Sequence, residues 1–119
     1  MAGGITVFVC SLVLLCSLTQ GQDCPPTINQ TLTGKRIGSK PVWNVIIKNT
    51  CDCTDLDVTL SAPNFQTLIP VDPSILSKDN TGHWLVNDGK PIYKGNNVTF
   101  TYAWDRVDFS VFDYRVACS

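Results

Sequence analysis

The order of apolar and polar positions along the chain predicts β-strands from residue 27 to the C-terminus. In residues 56–61, Leu56, Val58 and Leu60 alternate with polar neighbours, which is the period of a strand with one buried face. Residues 42–49 carry apolar side chains at both parities, as a central strand does. Further strand patterns occupy residues 27–32, 84–86, 98–104 and 107–118, with shorter ones at 67–71 and 91–93, and residues 73–76 suit one 3₁₀ turn.

Turn signals between these segments indicate how the strands connect. Residues 87–89, with the sequence Asn-Asp-Gly, predict a tight turn in which Gly89 takes a positive φ, and residues 95–97 predict another turn. In the last strand the apolar parity changes between Val111 and Phe112, which predicts a β-bulge. About seven strands at this spacing predict an all-β fold, a small antiparallel β-sandwich, with an open barrel as the alternative architecture.

The first 21 residues predict a cleaved signal peptide. Residues 5–18 are apolar apart from one threonine and two serines, and Thr19 and Gly21 suit a cut before Gln22. A transmembrane anchor is the alternative, but a span needs about 18 or more apolar residues. Cleavage after residue 21 of 119 leaves 98 residues, enough for one domain at residues 22–119, with no second apolar run. We therefore expect a secreted, extracellular protein without a membrane span.

The composition favours β-structure and argues against a nucleic-acid partner. The chain has ten acidic residues, all of them aspartate, against nine Lys and Arg, for a net charge of −1. Glutamate, a strong helix former, is absent, which disfavours helices. The basic residues are scattered singly except for Lys35-Arg36, so no patch suits nucleic acid or an anionic membrane.

Four cysteines remain once the predicted signal peptide is removed: Cys24, Cys51, Cys53 and Cys118. An even number in an oxidising compartment predicts two disulfides, with three possible connectivities. A bridge within the close pair would form a very small, strained ring, so we favour one bond from that pair to each of the other two cysteines. A redox or zinc role is less favoured, because no helix follows to lower a thiol pKa and the ligands are scattered.

Four segments of the predicted domain carry a family resemblance. They are PVWNVIIKNTC at 41–51, LVNDG at 85–89, KPIYKGNNVTFTYAW at 90–104 and VFDYRVAC at 111–118. Together they resemble the plant TAPETUM DETERMINANT family of small, secreted, cysteine-rich proteins. The resemblance implies a disulfide-linked extracellular domain, and the founding members are ligands of leucine-rich-repeat receptor kinases that specify cell fate in anthers. Two further cysteines of that family correspond to Ala62 and Trp84, so one complete disulfide is expected to be missing.

Two sequons predict N-glycosylation at Asn29 and Asn97. Asn29 falls on the polar side of its strand and Asn97 falls in a turn, so both are expected to be exposed. A weaker sequon at Asn49 ends in Cys51 and would compete with a disulfide.

Other arrangements of polar and aromatic residues were weighed as chemical sites. Three tryptophans could stack on sugar rings, but Trp43 and Trp104 have the parity of core residues. Possible calcium ligands match no known loop, and possible catalytic acids and the single histidine lack a partner for nucleophilic chemistry. We therefore expect no enzyme activity, no metal and no cofactor. The residues weighed were Asp52, Asp55 and Asp57 for calcium, and Asp105, Asp108 and His83 for catalysis.

The favoured hypothesis is an apoplastic signalling ligand that binds a leucine-rich-repeat receptor-kinase ectodomain, with a role in reproductive cell differentiation as the resemblance implies. The alternative is a cell-wall carbohydrate-binding module, similar in size to the β-domain that ends expansins. Partner contacts are expected around the LVNDG turn and the Lys35-Arg36 loop, where a few anchors would dominate affinity. The candidate contact residues are Trp84, Lys90, Tyr93, Lys94, Lys35 and Arg36.

Overall fold

A computed structural model of the protein describes residues 24–118, so the predicted signal peptide at residues 1–21 lies outside the described residues. Within residues 24–118, no helix is long and apolar enough to cross a membrane. A single 3₁₀ turn, Asn87–Gly89, is present in this range. The strands are β1 (Thr27–Ile37), β2 (Lys40–Lys48), β3 (Thr54–Ser61), β4 (Leu76–Lys78), β5 (Trp84–Val86), β6 (Asn97–Ala103) and β7 (Ser110–Ala117).

The strands form two antiparallel sheets, which confirms the predicted all-β sandwich. One sheet has the order β1-β2-β6 and the other has the order β4-β5-β3-β7. Strand β2 is central in the first sheet, as its apolar residues at both parities predicted.

The core lies between the inner faces of the two sheets. Tyr102 is wholly buried, and its ring meets those of Phe65 and Phe109 edge-on at centroid distances of 5.5 and 5.6 Å. Burying each large apolar side chain contributes about 1.5–3 kcal/mol, so this interior supplies most of the folding free energy. The inner-face residues include Val45 and Ile47 of β2, Phe100 of β6, Val58 and Leu60 of β3, and Val86 of β5.

Two short segments differ from their predicted structure. Residues 67–71 form no strand, because the Thr67 hydroxyl binds both the amide (3.1 Å) and the carbonyl (2.8 Å) of Ile69 and turns the chain. Residues 73–75 form a turn without a 3₁₀ assignment, and β4 follows directly. Strand β4 forms because Leu76 is buried in the core and its neighbours pair with β5, a contact that local patterning does not reveal.

The predicted tight turn at residues 87–89 is present, with φ values of 57°, 57° and 76°. It does not reverse the chain, because β5 before the turn and Ile92 after it both pair with β3 in the same direction. The short segment predicted at 91–93 is reduced to that single bridge. The positive φ of Gly89 favours glycine, and a Cβ atom there would crowd the Asp57 side chain, whose Oδ1 would lie 3.0 Å away.

The predicted bulge in the last strand is confirmed at Phe112. Val111 pairs with Leu60 and Asp113 pairs with Thr59, so Phe112 has no opposite residue. This extra residue reverses the parity of β7 and accounts for the change of apolar pattern in the sequence.

Two disulfides join Cys24 to Cys51 and Cys53 to Cys118, which is one of the two pairings that the favoured arrangement left open. The Cα atoms are 6.1 and 4.6 Å apart, and the bonds span 27 and 65 residues of sequence. All four cysteines flank strand ends on one side of the sandwich, called here the disulfide end. The bonds therefore hold both ends of the domain to the segment between β2 and β3.

Asn49 holds that segment in place. Its side chain is wholly buried and donates to the carbonyls of Cys53 (2.7 Å) and Ile92 (2.8 Å) while accepting from the amide of Cys51 (2.8 Å). Because both amide hydrogens are used inside the protein, the weak sequon at Asn49 does not present an accessible nitrogen.

Candidate partner-binding surface

The β1–β2 hairpin forms one wall of an open groove on the outer face of the three-stranded sheet. This hairpin lies opposite the disulfide end, and the region around it is called here the hairpin end. The hairpin groove has a volume of about 590 Å³ and a mixed apolar and cationic lining. The lining comprises Thr33, Lys35, Ile37, Val42, Ile69 and Thr101, together with Arg36.

The two cations of the hairpin groove have no carboxylate partner within residues 24–118, whereas several other basic residues do. The Arg36 guanidinium donates to the carbonyl of Ser39 inside the hairpin, which orients it without neutralising its charge. Lys35 and Arg36 are therefore free to meet an acidic group from outside. The ion pairs elsewhere are Lys40–Asp105 (3.1 Å), Lys94–Asp52 (3.0 Å), Arg106–Asp108 (2.6 Å) and Arg115–Asp57 (2.6 Å).

Large apolar side chains are also exposed on the hairpin and on the segment that follows β3. Ile37 is 43% exposed, Leu32 61% and Leu68 51%. The Leu68 amide donates to the carbonyl of Ala103 (3.0 Å), which places this residue at the hairpin end. Sequence reasoning assigned residues 67–71 to a strand and therefore missed their place beside the hairpin groove.

Two other predicted contact residues, Tyr93 and Lys94, lie at the disulfide end. Tyr93 is 58% exposed, and the following turn is fixed by a hydrogen bond from the Gly95 amide to the carbonyl of Asn49 (3.0 Å). The nine residues of β2 separate this patch from the hairpin, a distance of about 30 Å at the rise of an extended strand. The predicted contact residues therefore form separate surfaces and not one continuous rim.

Trp84 and Lys90 occupy a third region, on the four-stranded sheet and its turn. Lys90 is exposed after the turn, while Trp84 is half-buried and meets the Phe65 ring edge-on at 5.1 Å. Ala62 and Trp84 line the same cleft, which has a volume of about 260 Å³. The two positions that the resemblance relates to missing family cysteines thus line one cleft.

The remaining tryptophans also pack against the protein. Trp43 donates from Nε1 to the carbonyl of Trp104 (3.1 Å) and stacks against Tyr102. The Lys40 ammonium lies 4.6 Å from the centroid of the Trp104 ring. Both indoles are half-buried, so they do not present the flat exposed row that a sugar platform needs.

The aspartates weighed as calcium ligands are separated by their environments. Asp52 and Asp57 are exposed and pair with Lys94 and Arg115. Asp55 is wholly buried, and neither of its carboxylate oxygens has a hydrogen-bond partner. Burial raises the pKa of Asp55 and favours its protonated form. Among the described residues, no group of three His, Cys or Asp side chains is arranged to hold a metal ion.

The groups weighed for catalysis also lie in separate local contacts. His83 shares a hydrogen bond between its Nδ1 and the Thr81 hydroxyl (2.8 Å), and its ring stacks on Phe112 at 3.6 Å. Asp105 pairs with Lys40, and Asp108 pairs with Arg106.

The two strong sequons place their asparagines on one face. Asn29 and Asn97 are both exposed, and their strands flank β2 on the outer face of the three-stranded sheet. Asn29 lies opposite Ile46 and Asn97 lies opposite Lys48, so both are nearer to the disulfide end than to the hairpin. The described geometry thus leaves both nitrogens open to solvent.

These features define a small, disulfide-linked β-sandwich. Its candidate binding groups are charged and apolar side chains on the outer surface. The chain belongs to the Tapetum determinant family, because the sequence profile described as "Tapetum determinant 1, C-terminal" matches residues 25–119. A curated relative, "TPD1 protein homolog 1" from Arabidopsis thaliana, is 31% identical over 88 residues, covering 70% of this chain and 49% of that protein. The chain therefore spans about half the length of the curated relative it matches. No solved structure matches the chain significantly.

Proposed function

We propose that this protein is a secreted plant signalling ligand that binds the ectodomain of a leucine-rich-repeat receptor kinase and acts in reproductive cell differentiation. Membership of the Tapetum determinant family is the observation that carries the proposal, since it covers residues 25–119. The founding members of that family have this activity. Because the matched relative is about twice as long as the matched region, the activity of this chain needs its own test.

The two disulfides of the domain support an extracellular location. Two disulfides form in oxidising compartments such as the secretory pathway, and they add stability that a small core supplies only in part. We place the mature protein in the apoplast after removal of residues 1–21.

N-glycosylation at Asn29 and Asn97 is part of the same proposal. Both side chains are exposed within complete sequons, which is the requirement for modification in the secretory pathway. Secreted protein should lose mass on treatment with peptide N-glycosidase A, and the Asn29→Gln and Asn97→Gln variants should each lose one glycan. Secreted protein of unchanged mass would contradict glycosylation while leaving the signalling role standing.

Binding to a panel of plant leucine-rich-repeat ectodomains tests the main proposal. The full chain, expressed in plant cells and purified from the medium, should bind at least one ectodomain saturably in biolayer interferometry. The matched control is the same protein reduced and alkylated, which should not bind because the domain loses both disulfides. Retention on insoluble cell-wall polysaccharide, with no ectodomain bound, would instead favour the carbohydrate-binding alternative and overturn the proposal.

A further inference from the structure

The hairpin groove combines an apolar floor with uncompensated positive charge. Val42 is buried and Ile69 is half-buried along the groove, and Ile37 adds exposed apolar surface from the hairpin. Lys35 and Arg36 extend from the same hairpin and make no ion pair within residues 24–118. Such a surface suits a ligand that brings apolar side chains and carboxylates together.

The charge at this end is local, since the whole chain carries a net charge of only −1. Asp105 is a carboxylate at the same end, but it already accepts from Lys40 at 3.1 Å. At the disulfide end, Lys94 is paired with Asp52 at 3.0 Å, and its charge is partly neutralised there. Lys35 and Arg36 are neighbours in the sequence and neither has a carboxylate partner within residues 24–118, so the hairpin suits an acidic partner.

The backbone of β1 favours an extended ligand. Within residues 24–118, β1 pairs only with β2, so its other edge carries backbone groups that no strand of the sheet uses. Residues 31–39 are exposed throughout, which leaves this edge accessible at the hairpin end. An extended peptide can add to such an edge while its alternate side chains enter an adjoining pocket.

We propose that the hairpin groove binds an acidic, extended segment of a protein partner. Its carboxylates meet Lys35 and Arg36, and an apolar side chain between them packs on Val42, Ile37 and Ile69. This inference rests on the proposed function, because it names the surface that the receptor ectodomain contacts. The sequons at Asn29 and Asn97 lie toward the other half of the same face, so glycans there leave the hairpin open.

Charge-reversal variants of the full secreted chain test the assignment against any ectodomain captured as above. Lys35→Glu with Arg36→Glu should weaken binding about tenfold or more, because two attractive contacts become repulsive. Lys48→Glu with Lys78→Glu makes the same change of charge away from the groove and should alter affinity less than about twofold. Ile37→Ser should weaken binding without changing charge, whereas Tyr93→Ser at the disulfide end should not.

A peptide probe separates failure of this inference from failure of the proposed function. A synthetic peptide of alternating Asp and Leu should bind the wild-type chain in calorimetry, more weakly at high salt, and should not bind the Lys35→Glu, Arg36→Glu variant. If an ectodomain binds but the groove and control variants lose affinity equally, the groove assignment is overturned and the signalling role stands. If the peptide does not bind, or if it binds the wild-type chain and the variant equally, the proposal that the groove binds an acidic segment is contradicted.

Discussion

The two ends of the sandwich differ in how much holds them together. At the disulfide end, two disulfides and the three hydrogen bonds of Asn49 fix the segment between β2 and β3. At the hairpin end, residues 31–39 are exposed, and Lys35 and Arg36 make no ion pair within residues 24–118. The comparison separates stability from recognition. The disulfide end contributes to the folding stability of the domain, whereas the hairpin end presents charged and apolar surface that contributes little to stability and is available for binding.

Removing a disulfide is expected to cause the largest loss in the free energy of unfolding. The Cys53–Cys118 bond closes a longer stretch than the Cys24–Cys51 bond, 65 against 27 residues. A chain-entropy model gives about 4.3 and 3.5 kcal/mol for loops of these lengths. Paired serine substitutions, compared by urea denaturation, should therefore lower the free energy of unfolding more at Cys53 and Cys118. The reverse order would contradict an origin in the unfolded chain.

The Asn49→Ala substitution is expected to cause the next largest loss in the free energy of unfolding. It removes a buried amide that makes three hydrogen bonds, and the Cys51 amide and the Cys53 carbonyl lose their side-chain partner, at a cost of about 3 kcal/mol. Asn44→Ala is the matched control, because Asn44 lies on the outer face in the middle of β2, the strand that ends just before Asn49, and it should change stability by less than about 0.5 kcal/mol. Equal losses in thermal denaturation would show that Asn49 does not hold the cysteine segment.

Asp55 introduces a pH dependence within the disulfide end. Because burial raises the pKa of Asp55 in the folded state, its contribution to stability is complete below the unfolded pKa and is lost as pH rises through the folded pKa. Asp55→Asn should remove that dependence and raise the free energy of unfolding at pH 7 by about 1 kcal/mol. At acidic pH the two proteins should converge.

The difference between wild type and the Asn variant isolates Asp55 from other carboxyl groups. Hydrogen bonds from Ser74 lower the pKa of Asp72, and hydrogen bonding by Thr81 lowers that of Asp79, so both act in the opposite direction. They are present in both proteins and cancel. A wild type that remains the less stable form at every pH down to acid unfolding would refute the titration of Asp55.

The smallest effect on stability is expected at the hairpin. Lys35→Glu with Arg36→Glu alters exposed side chains that make no ion pair within residues 24–118, so the free energy of unfolding should change by less than about 0.5 kcal/mol. The same variant is expected to lose partner binding, which would complete the contrast between the two ends. A marked loss of thermal stability would mean that the side chains of the hairpin stabilise the fold, and would contradict the contrast between the two ends.

The alternation of apolar and polar residues predicted much of this fold, because alternation within a single strand is enough to show which of its faces is buried. The alternation in residues 56–61 lies within β3, and Val58 and Leu60 are buried as predicted. Leu56 is only half-buried and Asp55 is buried instead, because the pairing with β7 shifts register between Leu56 and Thr59. The parity change at Phe112 located a bulge that pairing with β3 confirms. Spacing excluded a bond between Cys51 and Cys53, and the structure decided between the two remaining pairings. Strand β4 was missed because three residues carry too little pattern without their partner.

The sequence by itself determined an all-β domain with two disulfides, exposed sequons and a resemblance that places it in its family. Only the tertiary structure decided that Lys35 and Arg36 lie about 30 Å from Tyr93 and Lys94, because that separation follows from the length and register of β2. It also decided that Ile69 joins the hairpin groove. The physical reason is that side-chain parity is a local property, whereas the distance between two surfaces depends on strand pairing across the whole chain.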